Sequence, residues 1–152
     1  MTTIEQDQTP TDAVSFAALY AEVQQFYARH MQLLDAGEAE EWAATFAVDA
    51  TFDVPTLDEP VRGRAGLAAA VENSAATLAE LGEQHRHWQG MINVETLPNG
   101  SFRTQSYAVV FASPRGGHSR VHRVCTCTDL LRRDESGQLL VVSRKVTRDD
   151  LW

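Results

Sequence analysis

Residues 26–52 constrain the fold more than any other stretch, because they combine two helical patterns and the start of a strand around one glycine. Apolar residues recur at three- and four-residue spacing up to this glycine, which predicts a long first helix with one buried face. Gly37 predicts the end of that helix, since glycine readily adopts the left-handed conformation of a C-terminal cap. The apolar stripe consists of Phe16, Leu19, Tyr20, Val23, Phe26, Tyr27, Met31 and Leu34.

Two titratable residues accompany this stripe. His30 falls inside it, and Asp35 lies at its edge, where the predicted helix ends. A buried polar or charged group is costly unless a hydrogen bond or an opposite charge compensates it. We therefore expect a pocket near this end of the helix.

A short second helix is predicted directly after Gly37. Trp42 and Phe46 are four residues apart and would form its buried face. Alternation of apolar and polar residues then predicts a short strand over residues 50–54. A loop rich in proline and glycine follows, and a third helix runs from Leu67 to its stop at Gly82.

From residue 85 onward the hydrophobic period changes to two. It predicts four strands at 85–96, 101–112, 118–133 and 138–147, joined by turns that contain proline, glycine or asparagine. Helices followed by antiparallel hairpins indicate the α+β class. Because long strands twist and curl, we expect a cone-shaped α+β barrel, with three N-terminal helices packed over a curled, mostly antiparallel sheet. Gly90 is a candidate bulge, which would exchange the faces of the strand beyond it.

Composition limits the partners of the chain. Its 152 residues suggest one domain over residues 15–152, and the polar residues 1–14 are expected to be a disordered tail. A net charge of −8 argues against nucleic acid and anionic membranes as partners. Because neither a secretory signal nor a membrane span is recognisable, a cytoplasmic location is expected. Cys125 and Cys127 are interpreted as two small, partly buried residues.

These elements carry a family resemblance. Leu34-Asp35, Gly37, Trp42, Phe46 and Asp49-Ala50 precede His87 at the start of the long strands, in an order that resembles the SnoaL-like branch of the nuclear transport factor 2-like superfamily. That branch contains polyketide cyclases, scytalone dehydratase and the small subunits of aromatic-ring dioxygenases. The resemblance extends over residues 16–146 and implies the fold, whereas the reaction varies within the family.

The resemblance to scytalone dehydratase suggests a catalytic pair. The aspartate of that enzyme precedes a buried apolar residue by eleven positions, as Asp35 precedes Phe46. Its histidine precedes an acidic residue by eight positions, as His87 precedes Glu95. The resemblance therefore assigns an Asp–His dyad to Asp35 and His87. A second pocket histidine of that enzyme has no counterpart in the matching region here, so His30 or His122 would have to replace it.

Such a dyad suits proton abstraction next to a carbonyl, which begins polyketide cyclisation and dehydration. A histidine can accept a proton near pH 7, and a carboxylate on its other nitrogen fixes the tautomer. The resulting enolate needs a hydrogen-bond donor, for which Tyr27 and Tyr107 are candidates. We predict catalytic roles for His87, Asp35, His30 and Tyr107. The residues predicted to bind substrate are Tyr27, Met31, Trp42, Phe52, Trp88 and His122.

The residues also allow simpler interpretations. His85 is typical of a solvated strand entry, and His30 could be a core histidine with satisfied hydrogen bonds. Tyr27 and Tyr107 could be core aromatic residues whose hydroxyls are bonded within the protein. The three histidines at positions 30, 87 and 122 follow no metal-binding spacing, and the proton abstraction described above requires neither a metal nor an organic cofactor, so none is expected.

Three functions remain open at the level of the sequence. The first is a cofactor-independent cyclase or dehydratase that acts on a hydrophobic, aromatic polyketide-type intermediate. The second is a non-catalytic assembly partner similar to the dioxygenase small subunits, and the third is a ligand-binding module without turnover. Apolar residues on both faces of the strands, such as Val109, Phe111, Val121 and Val141, further predict a homodimer through the outer face of the sheet.

Overall fold

The computed structural model describes residues 11–152, and the side chains from residue 15 onward. Most of the predicted N-terminal tail lies outside the described residues. The elements are α1 (Thr11–Asp35), α2 (Ala39–Ala43), β1 (Phe46–Asp53), β2 (Val61–Arg62), α3 (Gly63–Leu81), β3 (Glu83–Thr96), β4 (Phe102–Pro114), β5 (Arg120–Arg133) and β6 (Leu139–Arg148). The three expected N-terminal helices are confirmed, as is a mixed α+β fold.

The strands form one six-stranded sheet in the order β2-β1-β6-β5-β4-β3. All neighbouring pairs are antiparallel except β1 and β6, which run parallel. The expectation of a mostly antiparallel sheet is therefore confirmed. The sheet is curled and carries the helices on its concave face, consistent with the predicted cone.

Two local predictions were wrong. Phe46 is the first residue of β1 and not part of α2, which ends at Ala43. The four-residue spacing between Trp42 and Phe46 suggested a single helix because both rings are buried in the same cluster. Their centroids are 4.7 Å apart, although the two residues belong to different elements. The predicted loop before α3 contains the edge strand β2, whose two residues are too few to show an alternating pattern.

The glycine predictions agree with the backbone. Gly37 and Gly82 follow α1 and α3 with φ angles of 72° and 63°, the left-handed conformation of helix caps. The strand β3 shifts its register between Gly90 and Asn93. Met91, inside this bulge, has a φ angle of 51°. The bulge predicted at Gly90 is thus confirmed, and it ends the simple alternation of β3.

Helix α1 covers one of the two edges of the sheet, the one formed by β3. The strand β3 has a neighbour on one side only, and α1 lies along its other side. The Tyr20 hydroxyl donates a hydrogen bond to the Ile92 carbonyl at 2.8 Å, and the His87 backbone N–H donates one to Asp35 Oδ2 at 2.9 Å. Edge backbone groups that would otherwise face water are paired in this way. The same contacts fix the C-terminal end of α1 against the middle of β3.

The hydrophobic core fills the space between the helices and the part of the sheet formed by β1, β6, the end of β5, the second half of β3 and the start of β4. Its largest fully buried side chains include Tyr27, Phe46, Leu67 and Leu131. Towards the other end of the sheet this core stops, and the first half of β3 and the last half of β4 leave a cleft under α3.

Candidate active site

The cleft lies between the end of α1, helix α3 and the inner face of strands β3, β4 and β5. Its volume is about 530 Å³, within the range of small-molecule sites. Apolar side chains of Leu34, Val71, Leu78 and Val110 form much of its wall. Exposed residues of α3 border it, so the cleft is open to solvent along that helix. The polar and charged residues that line it are Asp35, Asn73, Ser74, Thr77, Glu83, His85, His87, His122 and Arg123.

His87 and Asp35 form a hydrogen-bonded pair in this cleft. His87 Nδ1 lies 2.6 Å from Asp35 Oδ1, while Asp35 Oδ2 accepts the backbone N–H of His87. The prediction that the two side chains lie within hydrogen-bond distance is confirmed. The Asp35 side chain is 8% exposed and that of His87 is 26% exposed. The dyad is therefore sheltered by the protein while the imidazole remains accessible from the cleft.

The geometry fixes the tautomer of His87. An ionised carboxylate only accepts hydrogen bonds, so Nδ1 carries the proton in the contact with Asp35. In the neutral ring the lone pair is then on Nε2, which has no hydrogen-bond partner in the described chain. A carboxylate also stabilises the imidazolium that forms when Nε2 takes a proton. This arrangement is chemically suited to general-base catalysis.

Two further histidines line the cleft near its mouth. The rings of His85 and His122 have their centroids 4.8 Å apart. Burial lowers the pKa of His122, and the neighbouring Arg123 lowers it further. His85 Nε2 is buried and lacks a hydrogen-bond partner in the described chain, because the nearest Glu83 oxygen is 3.6 Å away. The interpretation of His85 as a solvated strand entry is wrong, since it shares the inner face of β3 with His87.

His30 lies in the core beneath the cleft and does not line it. Its side chain is fully buried, and both ring nitrogens are hydrogen-bonded within the protein. Arg144 Nη1 donates to Nε2 at 2.9 Å, so Nδ1 carries the proton that is donated to Thr45 Oγ1 at 2.7 Å. Burial and the charge of Arg144 hold the pKa of His30 well below its usual value. His30 thus matches the simpler interpretation given above, a core histidine whose ring nitrogens are both hydrogen-bonded within the protein.

A buried ion pair continues this network. Arg144 donates from Nε and Nη2 to the two carboxylate oxygens of Asp129, each at 2.8 Å. The Tyr27 hydroxyl donates to Asp129 Oδ2 at 2.7 Å and lies 2.6 Å from Thr104 Oγ1. Burial, followed by the charge of Asp129, raises the pKa of Tyr27 well above its usual value. The Tyr27 hydroxyl thus forms its hydrogen bonds within the protein, as expected if Tyr27 is a core aromatic residue.

The remaining predicted site residues lie away from the cleft. Trp88 and Tyr107 are on the outer face of the sheet, 69% and 57% exposed. The reason is strand alternation, because their neighbours His87, Ser106 and Ala108 face inward. Met31 and Trp42 are buried and Phe52 is partly buried among the core side chains, so none of them lines the cleft. Of the predicted residues, the structure brings Asp35, His87 and His122 together around one cavity.

The sequence analysis did not identify several residues of the site. Arg123 faces the cleft because β5 shifts its register against β4 between Val110 and Phe111. A bulge of this kind has no recognisable signal in a single sequence. His85 could have been identified, because it is two residues before His87 and precedes the bulge. The buried partners Asp129 and Arg144 carry charges that ordinarily indicate exposed positions.

Comparison with known proteins supports the same fold. A model of the SnoaL-like domain matches residues 16–145, which is most of the chain. The chain belongs to the SnoaL-like family. The family resemblance inferred from the sequence is therefore confirmed. A search of curated protein sequences gave no significant match.

Several solved structures of similar proteins extend this result. ActVI-ORFA from Streptomyces coelicolor is 31% identical, with a TM-score of 0.83, over 90% of this chain and 98% of that chain. Aln2 from another Streptomyces strain is 35% identical, with a TM-score of 0.81, over 88% and 93% of the two chains. A Catenulispora acidiphila protein in complex with S-DNPA is 33% identical, with a TM-score of 0.78, over 88% and 96%.

More distant structures share the fold alone. They include a putative scytalone dehydratase at 14% identity and a dioxygenase β subunit at 21% identity, both from Novosphingobium aromaticivorans. Two further observations concern the part of the chain that the structure describes. None of its helices is long and apolar enough to cross a membrane, and no three His, Cys, Asp or Glu side chains converge as metal ligands.

Proposed function

We propose that this SnoaL-like protein is a cofactor-independent cyclase or dehydratase that acts on an aromatic polyketide-type intermediate. The observation that carries the proposal is the His87–Asp35 pair in a largely apolar cleft of about 530 Å³. Members of the family include polyketide cyclases and dehydratases, and a protein 33% identical to this chain was crystallised with the small molecule S-DNPA. Both facts favour a small-molecule reaction in this cleft.

In the proposed reaction His87 is the general base. Nε2 takes a proton from a carbon next to a carbonyl group, and the electron pair of the C–H bond moves into the enolate. The enolate then attacks a second carbonyl carbon in a cyclisation, or expels a hydroxyl group as water in a dehydration. The imidazolium returns its proton to the new alkoxide or to the leaving hydroxyl. The steps balance without an oxidant or a reductant.

Asp35 is a positioning residue in this scheme. It holds the His87 ring through Nδ1 and the His87 backbone through the N–H, so that ring and strand move together. For the enolate oxygen we propose hydrogen bonds from Asn73 and Ser74, which line the facing wall on α3. These polar groups replace the predicted donors Tyr27 and Tyr107, which the geometry does not favour.

The experiment is proton exchange at an activated carbon. 2-Naphthylacetone has a CH2 group between an aromatic ring and a ketone, and its exchange in D2O can be followed by NMR. Exchange catalysed by the protein should fall on the order of 10²–10⁴-fold in His87→Ala and nearly as much in His87→Gln. The exchange rate should fall less in Asp35→Asn, because this variant weakens the orientation of the His87 ring but keeps the base itself. His118→Gln, in an exposed turn, is the control and should retain the wild-type rate.

The contrary result is equally clear. If folded His87→Ala exchanges the probe at the wild-type rate, or the wild-type protein does not accelerate exchange above buffer, the general-base assignment is rejected. The assembly-partner alternative predicts a cleft filled by side chains together with large exposed apolar patches. Apolar side chains are exposed on the outer face of the sheet, but the cleft is open, so this alternative is not favoured. A ligand-binding module without turnover would show probe binding in the wild-type protein without exchange.

We further propose that the protein is a homodimer formed through the outer face of the sheet. Large apolar side chains are exposed there on three adjacent strands. Trp88 and Tyr107 are more than half exposed, and Val121 and Val124 are 56% and 40% exposed. Exposed apolar area of this kind marks interaction surfaces. A second copy would remove it from water.

A further inference from the structure

The cleft contains one cation without a counter-charge among the described residues. Its two carboxylates are both engaged, Asp35 with His87 and Glu83 with Arg120 at 3.0 Å. Arg123 also lines the cleft, yet it has no ion pair or side-chain hydrogen bond within residues 15–152. The nearby Asp150 is bound by Arg148 at 2.6 Å, and this hydrogen bond, more than the charge of Arg123, lowers its pKa. Arg123 is therefore a lining guanidinium that no carboxylate of the described residues neutralises, in a protein with a net charge of −8.

Arg123 has a defined position relative to the base. His87 pairs with Val110 across β3 and β4, and Val110 pairs with Arg123 across β4 and β5. The three residues thus form one row across the inner face of the sheet. Two strand spacings separate the backbones of His87 and Arg123 by roughly 10 Å. The buried side chain of Val110 provides an apolar floor between them.

This row has the dimensions and chemistry of a binding site for an anionic aromatic compound. A guanidinium binds a carboxylate through two parallel hydrogen bonds, which fixes the orientation of the bound molecule. An apolar floor suits a fused-ring body, and the base is at the opposite end. A free arginine at the mouth also attracts an anion that the rest of the acidic surface repels.

We propose that the substrate of this site is an aromatic carboxylic acid, and that Arg123 binds its carboxylate while His87 faces the carbon at the far end of the ring system. This inference rests on the proposed function only where it places the reacting carbon next to His87. Binding of the carboxylate by Arg123 can be measured without turnover. Arg123 is thereby a specificity-determining residue that selects acids over neutral analogues of the same shape.

The test uses two probes of nearly the same shape, of which one is an anion and the other is neutral. 2-Naphthaleneacetate and 2-naphthaleneacetamide have the same bicyclic body, and their affinities for the full chain are measured by isothermal titration calorimetry. Wild-type protein should bind the acid about 10–100-fold more tightly than the amide, the range for a hydrogen bond to a charged group. This preference should weaken as salt is added. Arg123→Gln should bind both probes with nearly equal affinity.

Matched variants separate this inference from the proposed function. Arg86→Gln removes the same charge from the opposite face of β3, where Arg86 is exposed, and should retain the preference for the acid. His87→Gln should lose proton exchange with 2-naphthylacetone but keep the preference for the acid. Equal binding of acid and amide by wild type, no binding of the acid at millimolar concentration, or an unchanged preference in Arg123→Gln would each overturn the proposal.

Discussion

Removing one member of the buried pair Asp129–Arg144 should destabilise the protein strongly. Both side chains are almost inaccessible, at 0% and 2% exposure, and two hydrogen bonds of 2.8 Å join them. Asp129→Asn leaves the Arg144 guanidinium buried without its counter-charge. Burial is the largest single influence and lowers the pKa of Arg144, but the charge and the hydrogen bonds of Asp129, with smaller contributions from Cys127 and Tyr27, together raise this pKa overall. Without Asp129 only the burial cost remains, and arginine cannot escape it by losing its proton.

The magnitude follows from the loss of a buried partner. Breaking such a pair by removing one member costs about 3–5 kcal/mol. A domain of this size has a total unfolding free energy of roughly 5–15 kcal/mol, so Asp129→Asn should lose a third or more of it in most of that range. Arg144→Met should cost a similar amount, since it leaves Asp129 buried and removes the donor to His30 Nε2.

The double variant provides the decisive comparison. Asp129→Asn with Arg144→Met removes both charges, and Tyr27 still has Thr104 as a hydrogen-bond partner. Its cost should be smaller than the sum of the single variants by at least ~2 kcal/mol, because neither charge is left alone. Urea unfolding followed by tryptophan fluorescence gives each free energy of unfolding.

An exposed ion pair serves as the control for this cycle. Arg103 and Glu95 are 48% and 59% exposed, and Arg103→Gln should change the unfolding free energy by no more than ~1 kcal/mol. The reasoning would be refuted if Asp129→Asn cost as little as this control. Strict additivity in the double variant would refute it as well, since the two charges would then be independent.

Three further predictions concern other regions. The pKa of His30 is depressed in the folded state, so the unfolded chain binds more protons below pH ~6.5, and the unfolding free energy should fall as pH is lowered, by up to ~1.4 kcal/mol per unit. Urea titrations between pH 7 and 5 should show a shallower slope in His30→Gln but not in His118→Gln. Met91 has a positive φ angle, which costs any L-residue about 1–2 kcal/mol, so Met91→Gly should not lower the unfolding free energy, whereas the β-branched side chain of Met91→Val should lower it, as thermal unfolding can verify. Light scattering at micromolar concentration should show a dimer that Trp88→Asp or Tyr107→Asp converts to a monomer; a wild-type monomer would contradict the proposed interface.

The sequence by itself determined the order of the elements apart from β2, and the pairing of Asp35 with His87. Helical spacing up to Gly37 and two-residue alternation after residue 85 are local patterns, and each reports which face of its own element is buried. Asp35 and His87 were identifiable because their elements are joined in an order shared with a known family. The bulge after Gly90 was also visible, since glycine inside a strand is itself a signal.

Only the tertiary structure decided which polar residues share the cleft and which are committed to the core. His30 and Tyr27 have the residue types of a catalytic site, but their partners Arg144, Thr45 and Asp129 are far away in the sequence. Arg123 reaches the cleft through a register shift between two strands. Strand register and side-chain pairing depend on contacts between elements, and a pattern within one element contains no information about its neighbour's register.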